Sequence, residues 1–140
     1  MKRNVYGAAT ILALVFTLGP VMAQAQSRLD AKVPFNFTLG QKAMPAGEYE
    51  ISSATPQVYE IRNLDTKEAR FVMKSQNVQA YKDQNPKLVF HKYGDQYFLS
   101  QIWYGSGKVG AEFGISQREK EIRMADSFSA GPETVIVAMN

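Results

Sequence analysis

The chain holds a single imidazole, at His91, and no cysteine, so few of its residues could do chemistry. A histidine-based metal site would need carboxylates to complete it, because no H-x-H or H-x-x-x-H spacing exists, and no thiolate set can form. We therefore expect no metal and no other cofactor. A Ser-His-Asp triad is formally possible, but no G-x-S-x-G elbow presents a nucleophile. His91 sits beside Phe90 in an alternating run, where a packed or surface imidazole is the simpler expectation. Glu48 and Glu50 would share one face of a strand, near enough in principle for a carboxylate pair. Alternating glutamates on an edge strand are the ordinary explanation, and they discourage edge pairing. Gly105 to Gly110, GSGKVG, matches G-x-G-x-x-G, yet AEFG follows where a helix should open and no βαβ unit surrounds it. It is not a P-loop either, because Ile102 stands where the first Gly is required and Val109 where Ser or Thr is. A glycine-rich hairpin turn accounts for it better. Asn36-Phe37-Thr38 is a glycosylation sequon, expected to be silent.

One set of side chains supports a binding hypothesis: Tyr93, Tyr97, Trp103 and Tyr104, with His91 among them. Aromatic faces stack on sugars and apolar ligands, and Tyr and Trp are enriched at interfaces. The competing expectation is that these rings are core or cross-strand packing.

The elements that would position them read as strands. Val33, Phe35, Phe37 and Leu39 alternate with polar residues and predict a half-buried strand ended by Gly40. Pro45 and Gly47 make a turn, after which Tyr49 and Ile51 resume the alternation. Strands are predicted over 57–64 and from Ala69 to about Val78, separated by a turn at Asp65-Thr66-Lys67. In KLVFHKYGDQYFLSQIWY, Gly94-Asp95 is a two-residue turn of the type antiparallel hairpins favour. That register sets Tyr93 opposite Gln96, Lys92 opposite Tyr97, His91 opposite Phe98, Phe90 opposite Leu99, Val89 opposite Ser100 and Leu88 opposite Gln101. It puts Phe90, Leu99 and Trp103 towards the core and His91, Phe98 and Ile102 on the other face. Both faces carry large apolar groups, so both should be covered. Ser116 and Glu119 form a capping box, and Glu119 to Arg123 is a favourable i,i+4 pair, which predicts one short helix over Ser116 to Met124. The apolar run TVIVAMN predicts a last strand buried on both sides.

Length bounds the rest. The 140 residues leave room for one domain. Residues 1–25 read as a removable export signal: Lys2 and Arg3, an uncharged run from Val5 to Leu18, then small residues in VMAQAQ. That run is too short to span a bilayer comfortably, and the absence of Cys excludes a lipoprotein anchor. The 16 basic and 13 acidic residues of the whole chain become 14 against 13 once Lys2 and Arg3 are gone, and the basic residues are scattered. Nucleic-acid binding has no support. Without disulfides, residues 26–140 must fold on burial alone, with 14 aromatics to fill the core.

VPFNFTLGQKAMPAGEYEI, KLVFHKYGDQYFLSQIW, ISQREKEI and a hydrophobic final strand occur in one order. In this the chain resembles a group of small exported β-proteins abundant in acidobacterial-type soil bacteria, with the pattern V-P-F-x-F, L-P-A-G-x-Y and L-V-F-H-x-Y-G-x-x-Y-F-L-x-x-I-W. Met44 departs from it conservatively. The resemblance implies export and a shared fold, and it carries no functional residues. PAGEY also resembles turns of prealbumin-like and carboxypeptidase-regulatory β-sandwiches.

The expectation is thus an all-β domain, an antiparallel sandwich or small barrel of seven or eight strands, with a short helix before the C-terminal strand. Its function is expected to be non-catalytic, structural or binding, in the periplasm or outside the cell, with its partner unknown and a protein or cell-envelope component one candidate. The alternatives are a carrier of a small amphipathic or sugar-like ligand through the aromatic hairpin, and a carboxylate-dependent hydrolase. The intact mass of the exported protein should correspond to a chain starting at Gln26, or else Gln24, and finding only full-length chain in the cytoplasm would refute the export signal.

Overall fold

Alternation of apolar and polar residues becomes ten strands and one helix in the computed structural model, which describes residues 27–79, 85–105, 109–125 and 131–140. The strands are β1 (Arg28–Val33), β2 (Phe37–Leu39), β3 (Lys42–Met44), β4 (Gly47–Thr55), β5 (Val58–Asn63), β6 (Ala69–Gln79), β7 (Lys87–Tyr93), β8 (Gln96–Trp103), β9 (Val109–Phe113) and β10 (Glu133–Ala138). The helix, α1 (Gln117–Ala125), precedes the last strand. The fold is therefore all-β with one short helix where the sequence put it. The export signal, most of the YKDQNPK loop and the centre of GSGKVG lie outside the described residues.

Pairing runs β1-β4-β5-β6-β9-β8, with β7 on the other side of β8 and β10 beyond it. All these pairs are antiparallel; β2 alone joins in parallel, through Thr38 against Phe98, and carries β3. The end of β10 curls back to β1. Asp30 and Asn140 exchange backbone hydrogen bonds of 3.0 and 2.9 Å, and Ala31 bridges Met139. That single bridge is the whole seam, so the sheet wraps its core without closing into a barrel.

The strand count exceeds the seven or eight expected because the opening stretch breaks in two and because Lys42–Met44 and Val109–Phe113 form strands of their own. Pro34 lacks an N–H for the ladder, and the Asn36 side chain accepts a 2.8 Å hydrogen bond from the Ala46 amide. Val33 therefore ends β1 while Phe37 begins β2, in a different part of the sheet. The inward alternation survives: Val33, Phe37 and Leu39 are buried and Phe35 packs against them.

Gly94, at φ +60°, makes the β7–β8 turn, and the first four pairs follow the expected register from Tyr93–Gln96 to Phe90–Leu99. A bulge then intervenes, so that Val89 faces Gln101, Leu88 faces Ile102 and Lys87 faces Trp103. The extra residue, Ser100, rotates everything after it to the opposite face. This corrects two assignments: Ile102 joins Phe90, Leu99 and Leu88 in the core, and Trp103 moves to the outer face. Phe90 is fully buried, with the rings of Phe35 and Phe37 edge-on at 5.1 and 5.3 Å. The last strand departs from expectation too. Val135 and Val137 pack inward, but Ile136 is exposed, because nothing among the described residues covers that end of the outer face.

Phe90→Ala should cost about 3–5 kcal/mol in denaturant unfolding. Gly94→Val, at a positive φ that β-branched residues do not adopt, should cost about 1 kcal/mol or more. Equal stability for wild type and Phe90→Ala would show that the ring is not the core's centre.

Candidate functional site

The hairpin's outer face carries Val89, His91 and Tyr93 on β7 and Phe98 and Trp103 on β8. Val89, Phe98 and Trp103 are buried although they point away from the core. Part of the cover is α1. Ser116 caps it, accepting a 3.0 Å hydrogen bond at Oγ from the Glu119 amide, as the capping box requires. The Glu119 carboxylate turns to the sheet instead of completing the box. Its Oε1 lies 2.7 Å from His91 Nδ1 and accepts a 3.0 Å hydrogen bond from the Tyr93 hydroxyl. Glu119 is only 4% exposed, so this carboxylate must be compensated locally, and the two ring groups do so.

The three side chains clasp the helix onto the hairpin. Chemically, a carboxylate on Nδ1 fixes the imidazole's orientation and tautomer, the relation found in acid–base dyads. The Tyr93 ring also packs edge-on against Phe98 at 5.9 Å. Burial, then the hydrogen bond to Glu119, push the Tyr93 hydroxyl up to about 12.

The expected aromatic set is divided by the sheet. Tyr97 is on the core side, stacked on Phe35 with ring centroids 3.9 Å apart. Tyr104 is there as well, stacked on Tyr59 at 5.6 Å. Burial raises its hydroxyl's pKa, and that hydroxyl has no hydrogen-bond partner among the described residues. Trp103 lies on the outer face, donating a 2.9 Å hydrogen bond from its indole to Gln101, with Lys87 Nζ 5.8 Å from its ring. It rests on Gly110, where an added Cβ would come within 2.6 Å of the indole. Only His91 and Tyr93 are brought together. The five residues form no common cleft.

Glu48 and Glu50 share a face; Lys32 stands opposite Glu48, whereas Glu50 stands opposite Asp30 and is reached diagonally by Arg28 at 3.5 Å. Asp30, Lys32, Glu48 and Asn140 line a shallow cavity of about 260 Å³ beside the seam. The described residues contain no group of three or more His, Asp or Glu that could hold a metal, and no helix long and apolar enough to cross a membrane.

The partner that sequence reasoning missed is Glu119. Its place in the capping box was legible, but nothing in a linear pattern links it to a histidine 28 residues earlier. No family model matches the chain, and no curated protein or solved structure does.

Removing the carboxylate should release the helix. Glu119→Ala is expected to cost about 2 kcal/mol, and amide exchange should quicken in α1 before it does in β7 or β8. Tyr93 holds its proton more tightly folded than unfolded, so its contribution is full below pH 10 and is lost as pH rises towards 12. Tyr93→Phe should flatten the stability curve across that window, and an unchanged alkaline slope would exclude Tyr93 as its source.

Proposed function

We propose that the protein is exported, to the periplasm or outside the cell, and works as a non-catalytic structural or binding protein. One observation carries this most directly: the groups that could serve a ligand or a reaction are spent on packing. Tyr97 and Tyr104 stack into the core side, Trp103 lies against Gly110, and His91 and Tyr93 hold the helix. A carrier of a sugar-like or amphipathic ligand would want these rings on one accessible face, and they occupy two. A carboxylate-dependent hydrolase would want two carboxylates converging in a cleft; Glu48 faces Lys32, Asp30 and Glu50 stand across the ladder with Arg28 on Glu50, and Glu119 faces His91 and Tyr93. The export half rests on the basic, uncharged, small-residue order of residues 1–25 and on the resemblance to exported β-proteins.

Assays of the exported chain against p-nitrophenyl esters, phosphates and glycosides should give no turnover above the level of the Glu119→Gln variant. Turnover that this substitution abolishes would make the helix clasp an active site and end the non-catalytic proposal.

A further inference from the structure

Glu119 sits on the hairpin as a guest sits in its site. Two groups, His91 Nδ1 and the Tyr93 hydroxyl, converge on its Oε1 at 2.7 and 3.0 Å. Both belong to β7, two residues apart on one face, so the strand alone sets their spacing. Behind them Phe98 stands across the ladder from His91, with the Tyr93 ring edge-on to it. The neighbouring carboxylate, Glu133, is held by Lys92 at 2.9 Å. The receiving half of the contact is therefore built wholly from the hairpin. Two donors aimed at one charged oxygen over an apolar floor are what a small carboxylate requires. The guest half is lightly attached. Glu119 is the only buried residue of α1, Ile122 is half-buried, and the rest of the helix is exposed. Nine residues are too few for a helix to hold by itself. The apolar floor also continues past the helix: Val89 lies two residues before His91, and Ile136, across the ladder from Val89, is 58% exposed.

We infer that His91 and Tyr93 form a binding site for a monocarboxylate with a short apolar tail, which α1 keeps closed by seating Glu119 in it. The ligand's carboxylate takes the place of Glu119 Oε1 between the two donors, and its tail runs along Val89 towards Ile136. Charge-assisted hydrogen bonds favour the anion, and an ammonium group has no place between two donors. The helix acts as a tethered competitor, so the ligand has to displace one buried side chain and one half-buried one. This names a ligand class for the proposed non-catalytic role and rests on that role being binding.

Butyrate is the probe, with butylamine at matched ionic strength as the control. In the wild-type chain, butyrate at on the order of 100 mM should speed amide exchange along α1 several-fold and leave β7 and β8 unchanged, because it competes with a tethered side chain. Glu119→Ala should bind butyrate at least about tenfold more tightly than wild type, and Tyr93→Phe in that background should weaken binding. Butylamine should bind neither chain. Wild-type α1 exchange that butyrate leaves unmoved overturns the inference, and this readout holds even if Glu119→Ala fails to fold. Equal butyrate affinity in wild type and variant overturns it too, as does binding of butylamine as tight as that of butyrate. Each of those results leaves the non-catalytic proposal standing, whereas turnover abolished by Glu119→Gln would end that proposal and leave the butyrate result as measured.

Discussion

The β7–β8 hairpin is buried on both faces, and the remaining elements are arranged around that requirement. Its inner face presents Leu88, Phe90, Leu99 and Ile102, and its outer face Val89, Phe98 and Trp103, all buried. A flat antiparallel sheet covers one face only. The inner face is covered because the sheet curls until β10 reaches β1, which brings Ala31, Val33, Tyr49, Ile51 and Ile61 over the hairpin's apolar side. The outer face needs a separate layer, and α1 supplies part of it. A helix with so few apolar side chains docks poorly on hydrophobic burial alone; Ile122 is its only half-buried aliphatic residue. The Glu119 contacts to His91 and Tyr93 take over that task, at the cost of burying a carboxylate.

Much of this was legible in the sequence, and the failures have physical causes. Turn chemistry is local: Gly94-Asp95 fixed the hairpin and its first four pairs, and Ser116 fixed the helix start. The bulge at Ser100 is not local. No residue type there demands an extra position; the demand comes from packing, since without it Trp103 rather than Ile102 would be driven into a core already filled by Phe35, Phe37 and Phe90. Pro34 was visible as a residue that cannot donate to a ladder, but whether it opens a strand or closes one depends on which partner its neighbours find. Val33 finds β4 and Phe37 finds β3.

The site residues divide in the same way. Which rings were prominent could be read directly. Which face each occupies could not, because period-two alternation assigns faces only up to the next bulge. Trp103 and Tyr104 lie past Ser100 and so exchange roles, while His91, Tyr93 and Tyr97 lie before it and keep theirs. Glu119 was legible as a helix-capping residue and illegible as a buried one, since the hairpin it meets belongs to a distant part of the chain.

A curled sheet that joins through one bridge also has to end somewhere, and its ends are treated unequally. β1 carries Arg28, Asp30 and Lys32 on its outer side, and β3 is three residues long with Lys42 exposed. Both are ordinary protections for an edge. Among the described residues, the first half of β6 has neither charge at its outward positions nor a paired strand beyond it, because β9 stops at Phe113 and the chain leaves through Gly114 towards the helix. The same departure that sends Ser116 and Glu119 to the hairpin's outer face therefore strips β6 of a neighbour. Covering one face of the hairpin and leaving one edge of the sheet open are two consequences of where β9 ends.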